Sequence, residues 1–316
     1  MKITIVGAAG GIGSSVAYTL AMSGTGDELV LVDPRPDVLQ THVWDLEQLR
    51  VSVRPFTVRA GAAEDIAASD VVVISASVPS RKGSPRIEFL AENLGITSEI
   101  ASALAGNAAW PGVLIIATNP VDPLVTDLQR VTGIDRRRVL GYTNNDTLRF
   151  RYAIAKALGV PPDLVTGWVL GEHGDRCVPL FDRIQVAGEP VTLSEADRAA
   201  VHRYLLAWYP RWVDLGVART STWTSGHGIA SMIGAVISGG QTWPASVVLD
   251  GEFGISGVAV GVPVRLGPAG AEEILAWDLS PSQRAGMHAG AAFVSDALRA
   301  VAGQSPSPSR FEPRSS

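Results

Sequence analysis

Five short stretches in the first half of the chain are apolar almost without interruption: KITIVG (2–7), ELVLVD (28–33), DVVVISA (70–76), GVLIIATN (112–119) and RVLGYT (138–143). Successive side chains of a strand point to opposite faces, so a strand with one wet face alternates apolar and polar residues. Strands without that alternation must be buried on both faces, as in a parallel sheet covered by helices. Helical spacing fills the segments between them, near 11–23, 36–50, 86–107 and 122–131. This alternation predicts an α/β fold with a doubly wound parallel sheet.

The pattern changes beyond residue 146. A helix in DTLRFRYAIAKALG, a strand pair near 165–192 and a long helix near 194–215 come first. A further helix (222–239), antiparallel strands (245–250 and 258–266) and a final helix (280–302) follow. We therefore expect a first domain over 1–143, a second, α+β domain over 144–302, and a disordered Ser/Pro-rich tail over 303–316. The 316 residues are 46% hydrophobic, enough for a large core, and the net charge of −5 gives no basic footprint for nucleic acid. A single cysteine, Cys177, excludes internal disulfides and fits a reducing compartment. No signal peptide is visible and no apolar run approaches the roughly 20 residues that span a bilayer, so a cytoplasmic protein with no membrane partner is expected.

The first predicted strand runs directly into GAAGGIG (7–13), whose glycines Gly7, Gly10 and Gly13 have G-x-x-G-x-x-G spacing. Glycines there allow a tight turn, backbone approach to a pyrophosphate, and close helix–strand packing at a helix N-terminus. With Ile12 inside the turn, the segment reads as the dinucleotide site of a Rossmann-type domain. Asp33 ends the next strand 20 residues after Gly13. A carboxylate there accepts hydrogen bonds from ribose hydroxyls and repels a 2′-phosphate, which favours NAD over NADP. Arg35 weakens that preference slightly, and Asp33 as a mere turn residue before Pro34 is the structural alternative.

Asp146 and Arg149 lie three apart, on one face of the helix that opens there. They could form a surface ion pair. They could equally divide two tasks, with Arg149 holding a substrate carboxylate bidentately and Asp146 stabilising a charged imidazole. The candidate imidazole is His173 in VLGEHGD (169–175), in a glycine-flanked loop after a strand.

Together, GAAGGIG with Asp33, ATNPVDPL (117–124), DTLRFRYAIAKALG (146–159) and VLGEHGD resemble, in this order, the NAD-dependent lactate/malate dehydrogenase family, on its lactate-dehydrogenase-like branch. Weaker similarity extends from residue 1 to about 302. The resemblance implies an oxidoreductase that uses NAD and a small 2-keto or 2-hydroxy acid. In it His173 is the general acid/base, oriented by Asp146, Arg149 binds the C1 carboxylate, and Arg86 polarises the carbonyl when its loop closes. Asn119 lines the nicotinamide and substrate site, and Ser225, or Thr224 beside it, touches the substrate from the second domain. A homodimer or homotetramer without metal is implied.

Which acid is used turns on ASVPSRKGSPRIEFLAEN (76–93). Without gaps, the family's specificity position falls on Ser80, six before Arg86, which is neither the arginine of malate dehydrogenases nor the glutamine that suits lactate. RKG (81–83) resembles the malate-type RKPG with one residue lost, which would give Arg81 the selective role. This favours oxaloacetate and malate over a lactate-type or specialised acid, with Ser80 as added room in the alternative. Asn145 replaces the leucine the family usually has before the catalytic aspartate. Two other classes remain open: an NAD- and metal-dependent glycosidase, with Cys177 and His173 as an imagined metal pair, and a silent NAD-binding protein. The tryptophans 208, 212, 223, 243 and 277 read as core or subunit interface.

Overall fold

The computed structural model describes residues 1–78, 86–216 and 221–302, without the side chains of Arg86, Glu88 and Val213. The expected tail over 303–316 and the lid residues 79–85 lie outside the described residues.

The first half alternates β1 (Lys2–Val6), α1 (Gly11–Ser23), β2 (Glu28–Val32), α2 (Pro36–Leu49), β3 (Thr57–Ala60), α3 (Glu64–Ala67), β4 (Val71–Ile74), α4 (Leu90–Ala103), β5 (Val113–Ile116), α5 (Val121–Thr132) and β6 (Val139–Tyr142). The strands pair in parallel in the order β3-β2-β1-β4-β5-β6. β4, β5 and β6 are buried at every position, as the unbroken apolar runs require. Sequence order reverses between β1 and β4, which opens a crevice at the carboxyl ends of those strands. β3 has no counterpart in the sequence reading: only Val58 of its four residues is buried, so it carries no apolar run.

The second half contains α6 (Asn144–Leu158), β7 (Val165–Thr166), β8 (Val169–Gly171), β9 (Cys177–Pro179), β10 (Gln185–Val186), β11 (Glu189–Pro190), α7 (Glu195–Asp214), α8 (Trp223–Ser238), β12 (Thr242–Asp250), β13 (Ser256–Gly267), β14 (Gly270–Ile274) and α9 (Pro281–Val301). β12 pairs antiparallel with β6, setting Ala245 against Tyr142 and Ser246 against Gly141. The order then continues β13-β8-β9, with β14 on β13. Among the described residues one sheet thus runs from the first half into the second, and it brings Ser246 of β12 and the turn after β8 up to Asp122 in the first turn of α5. Local signals set the helix ends. α1, α5 and α6 stop at left-handed Gly24, Gly133 and Gly159. α9 starts with a Ser280/Gln283 capping box and a proline in its first turn. No described helix is long and apolar enough to cross a membrane.

Candidate active site

The turn after β1 is built for close approach. The Gly7 and Ala8 amides both donate to the Val32 carbonyl, and Gly10 caps α1 with its own N–H on the Gly7 carbonyl. Gly7 has φ +86°, and a Cβ there would stand 2.5 Å from the Ala76 backbone nitrogen across the crevice. A Cβ on Gly13 would meet the Gly7 carbonyl oxygen at 2.3 Å. Ile12 is half-buried against the core beside them. No acidic residue stands in the first turn of α1, so its amide end can hold an anion.

At the far end of the cradle the Asp33 side chain is 3% exposed and its partner Arg35 is 55% exposed. Arg35 donates Nε to Oδ1 at 2.9 Å and Nη2 to Oδ2 at 3.2 Å, and the Ala9 amide donates to Oδ2 at 3.1 Å. The Arg35 amide also donates to Oδ1 at 3.1 Å, so the carboxylate's roughly four lone-pair sites are all engaged, and a ribose diol would take the places that the exposed Arg35 side chain holds. The glycine cradle and this carboxylate fit an NAD molecule laid across the crevice.

The acid/base cluster forms where α6 and the turn after β8 meet. α6 opens right after β6, which places Asn145, Asp146 and Arg149 in its first turns. Asp146 bridges two partners: its Oδ2 takes the Nδ1–H of His173 at 2.6 Å and its Oδ1 takes the Arg149 guanidinium at 2.9 Å. With Nδ1 donating, Nε2 is the ring nitrogen left for proton exchange. The Arg149 guanidinium lies 3.6 Å from the Trp208 ring centroid, a cation–π stack that fixes its plane. A cavity of about 180 Å³ is lined by Asp146, Arg149, His173, Arg176, Trp208 and Phe293, among others.

A second carboxylate holds the histidine from behind. The buried Asp122 accepts the His173 backbone N–H at 2.6 Å on Oδ2 and the Ser246 hydroxyl at 2.5 Å on Oδ1. Burial pushes the Asp122 carboxyl up to about 7, against the lowering effect of these two hydrogen bonds. Burial also raises Glu172, whose Oε2 accepts the Arg176 amide at 3.0 Å, and the Cys177 thiol. Among the described residues no group of three or more His, Cys, Asp or Glu is placed to hold a metal ion.

The cluster thus brings together His173, Asp146 and Arg149. Asn119 sits at the end of β5, joined to Pro120 by a cis peptide; its Oδ1 is buried with no partner among the described residues, a polar atom available to a ligand. Ser225 is buried in the first turn of α8 and its Oγ accepts from Asn145 Nδ2 at 2.8 Å, while the Tyr142 hydroxyl donates to Asn145 Oδ1 at 3.0 Å. Thr224 beside it is exposed. The polar residue that replaces the usual leucine is therefore part of a buried three-residue chain. His227, two residues after Ser225 in α8, is exposed. Ser80, Arg81 and the Arg86 side chain lie outside the described residues, although Arg86 itself begins a 3-10 turn (Arg86–Phe89).

The sequence reading gave no role to Asp122, Asn93, Trp208 or Arg176. Asn93 accepts the Val78 amide and donates to the Asn119 carbonyl, tying the segment after β4 to the segment after β5. Asp122 lay within the ATNPVDPL match, but its partners are 51 and 124 residues away in sequence. Trp208, read as core or subunit interface, is half-buried and covers Arg149.

Comparison with known proteins agrees with this geometry. The family model described as lactate/malate dehydrogenase, NAD binding domain, matches residues 1–141, and the lactate/malate dehydrogenase alpha/beta C-terminal domain matches 143–302. Malate dehydrogenase of Natronomonas pharaonis is 36% identical over 285 residues, covering 88% of this chain and 92% of that one. L-lactate dehydrogenase of Mesoplasma florum is 33% identical over 292 residues, covering 90% and 92%. The crystal structure of Cryptosporidium parvum malate dehydrogenase superposes with a TM-score of 0.88 at 25% identity, covering 95% of this chain and 98% of that one. By sequence over both halves and by fold, the chain belongs to the lactate/malate dehydrogenase family, NAD-dependent oxidoreductases that act on the CH–OH group of small 2-hydroxy acids.

Proposed function

We propose that this protein interconverts malate and oxaloacetate, with residues 1–143 holding NAD and 144–302 supplying the acid/base and substrate groups. The observation that carries the reading is the single carboxylate of Asp146 shared between His173 and Arg149 at the wall of one cavity. NAD, when bound, supplies the hydride acceptor, or donor in the reverse direction. Gly7, Gly10, Ile12 and Gly13 would hold it at the pyrophosphate, Asp33 at the ribose, and the unpartnered Asn119 amide near the reacting end.

Arg149 presents a planar donor pair to the C1 carboxylate, and the Trp208 face and Asp146 keep that plane in place. His173 delivers the Nε2 proton to the keto oxygen in reduction and takes the hydroxyl proton in oxidation. Asp146 holds the ring by Nδ1, which leaves Nε2 as the nitrogen that exchanges the proton. Arg86 polarises the carbonyl, and Ser225 closes the site from α8. Arg81, next to Ser80 in the lid, selects the dicarboxylate, because an unpaired charge in a closed site is costly. The malate dehydrogenase relatives support this choice. The L-lactate dehydrogenase relatives, at similar identity, keep a lactate-type activity as the second reading.

Exposed Trp223, Trp44, Tyr18 and Met22 lie on α8, α2 and α1, which pack together, and support a homodimer or homotetramer. The lone Cys177 supports a cytoplasmic location. The test is NADH oxidation with oxaloacetate and pyruvate side by side, for the wild type and His173→Asn. Turnover should fall by about 10²–10⁴-fold in the variant, while NADH binding, followed by its fluorescence, persists. Loss of both together, or retention of turnover, refutes the assignment.

A further inference from the structure

The substrate cavity holds two arginines, and their surroundings differ. Arg149 is engaged by Asp146 and stacks on Trp208 of α7. Arg176, three residues after His173, stacks on Phe293 of α9 with its Cζ 4.0 Å from the ring centroid. The two guanidiniums are thus held against different walls of one cavity. No ion pair of the Arg176 guanidinium occurs among the described residues; its backbone amide alone is tied, to Glu172.

Two other carboxylates line the cavity near it. Glu172 is buried, its Oε2 taken by the Arg176 amide at 3.0 Å, and burial raises its pKa against the lowering influence of the neighbouring His173 and Arg176. Asp175 is exposed to solvent. Arg176 is exposed, with one face of its guanidinium on Phe293 and no carboxylate hydrogen-bonded to it among the described residues, so its donor edge is open to an incoming anion.

We propose that Arg176 is a second anion-recognition group of this cavity and reads the distal carboxylate of a dicarboxylic 2-keto acid whose C1 carboxylate rests on Arg149. The inference rests on the malate/oxaloacetate reading above and moves part of its specificity from the lid to the turn that carries His173. Monocarboxylic acids leave Arg176 wet and gain nothing from it. A dicarboxylate gains a charge-assisted pair with the guanidinium.

The experiment measures kcat and KM of NADH oxidation with oxaloacetate and with pyruvate for the full chain, as wild type, Arg176→Gln, Arg176→Lys and Arg81→Gln. Gln keeps the length and removes the charge; the pyruvate arm and NADH binding report on folding within the same sample. The oxaloacetate-to-pyruvate ratio of kcat/KM should fall about 10- to 100-fold in Arg176→Gln, the range set by a hydrogen bond to a charged group. The loss should appear mainly in KM for oxaloacetate, and Arg176→Lys should restore part of it. If the ratio survives in Arg176→Gln but collapses in Arg81→Gln, the lid alone selects and this proposal falls while the malate reading stands. If the wild type shows no preference for oxaloacetate, both fall.

Discussion

Replacing Asp122 by asparagine should change how stability depends on pH, by an amount the structure sets. Asp122 is buried, with a carboxyl raised from the ordinary 3.8 to about 7 chiefly by burial. A folded-state pKa above the unfolded one means that the native protein binds the extra proton between these values. Stability from this group is therefore fully present below pH 3.8, falls as pH rises, and is lost above about pH 7. At about 1.36 kcal/mol per unit, the full span is on the order of 4 kcal/mol, of which roughly 3 kcal/mol falls between pH 5 and pH 8. Asparagine matches the shape: its Oδ1 can accept the His173 amide and its Nδ2 can donate to the Ser246 hydroxyl. It also lacks a proton to lose. The assay is denaturant unfolding of wild type and Asp122→Asn at pH 5 and pH 8, read as a double difference so that other titrating groups cancel. The variant should gain about 3 kcal/mol on the wild type between the two pH values. A pH-independent difference would refute the claim that burial raises the pKa of this carboxyl. Asp122→Ala leaves two buried donors without a partner. It should cost about 2–5 kcal/mol at both pH values and lower kcat by loosening the His173 backbone.

Two further outcomes follow from the cofactor cradle. Gly13→Ala puts a methyl 2.3 Å from the Gly7 carbonyl oxygen, so the turn must shift: unfolding should weaken by about 1–3 kcal/mol and NADH affinity should drop in fluorescence titration. Asp33→Ser removes the carboxylate that engages Arg35 through Nε and Nη2, freeing that guanidinium for a 2′-phosphate. The NADPH-to-NADH ratio of kcat/KM should then rise by about tenfold or more, the worth of one charge-assisted pair, and an unchanged ratio would show that Arg35 does not reach the ribose.

Much of the site was legible because its parts are local. Gly7, Gly10 and Gly13 are close in sequence and their spacing follows from one turn between one strand and one helix. Asp146 and Arg149 share a helix face by periodicity alone. His173 lies on a flagged loop, but that Asp146 and not another carboxylate meets its Nδ1 depends on β8 and α6 coming together. The pair Asn145–Ser225 shows the other limit: each looks like an isolated departure in the sequence, and only the packing of α8 against α6 makes them partners. Trp208 reads as one more apolar residue at helical spacing until α7 lays it over Arg149.

The amino-acid sequence by itself determined the parallel half of the sheet, since strands apolar on both faces have no other stable environment. It also determined some helix ends: the glycines that stop α1, α5 and α6, and the Ser280/Gln283 box that starts α9. The tertiary structure alone decided that β12 joins β6, so that Ser246 and the His173 amide meet on the buried Asp122. It alone set two cations on aromatic faces in different walls of one cavity. The physical reason is range: turn and periodicity rules act over a few residues, whereas these partners are brought together by burying strands and helices far apart in the chain.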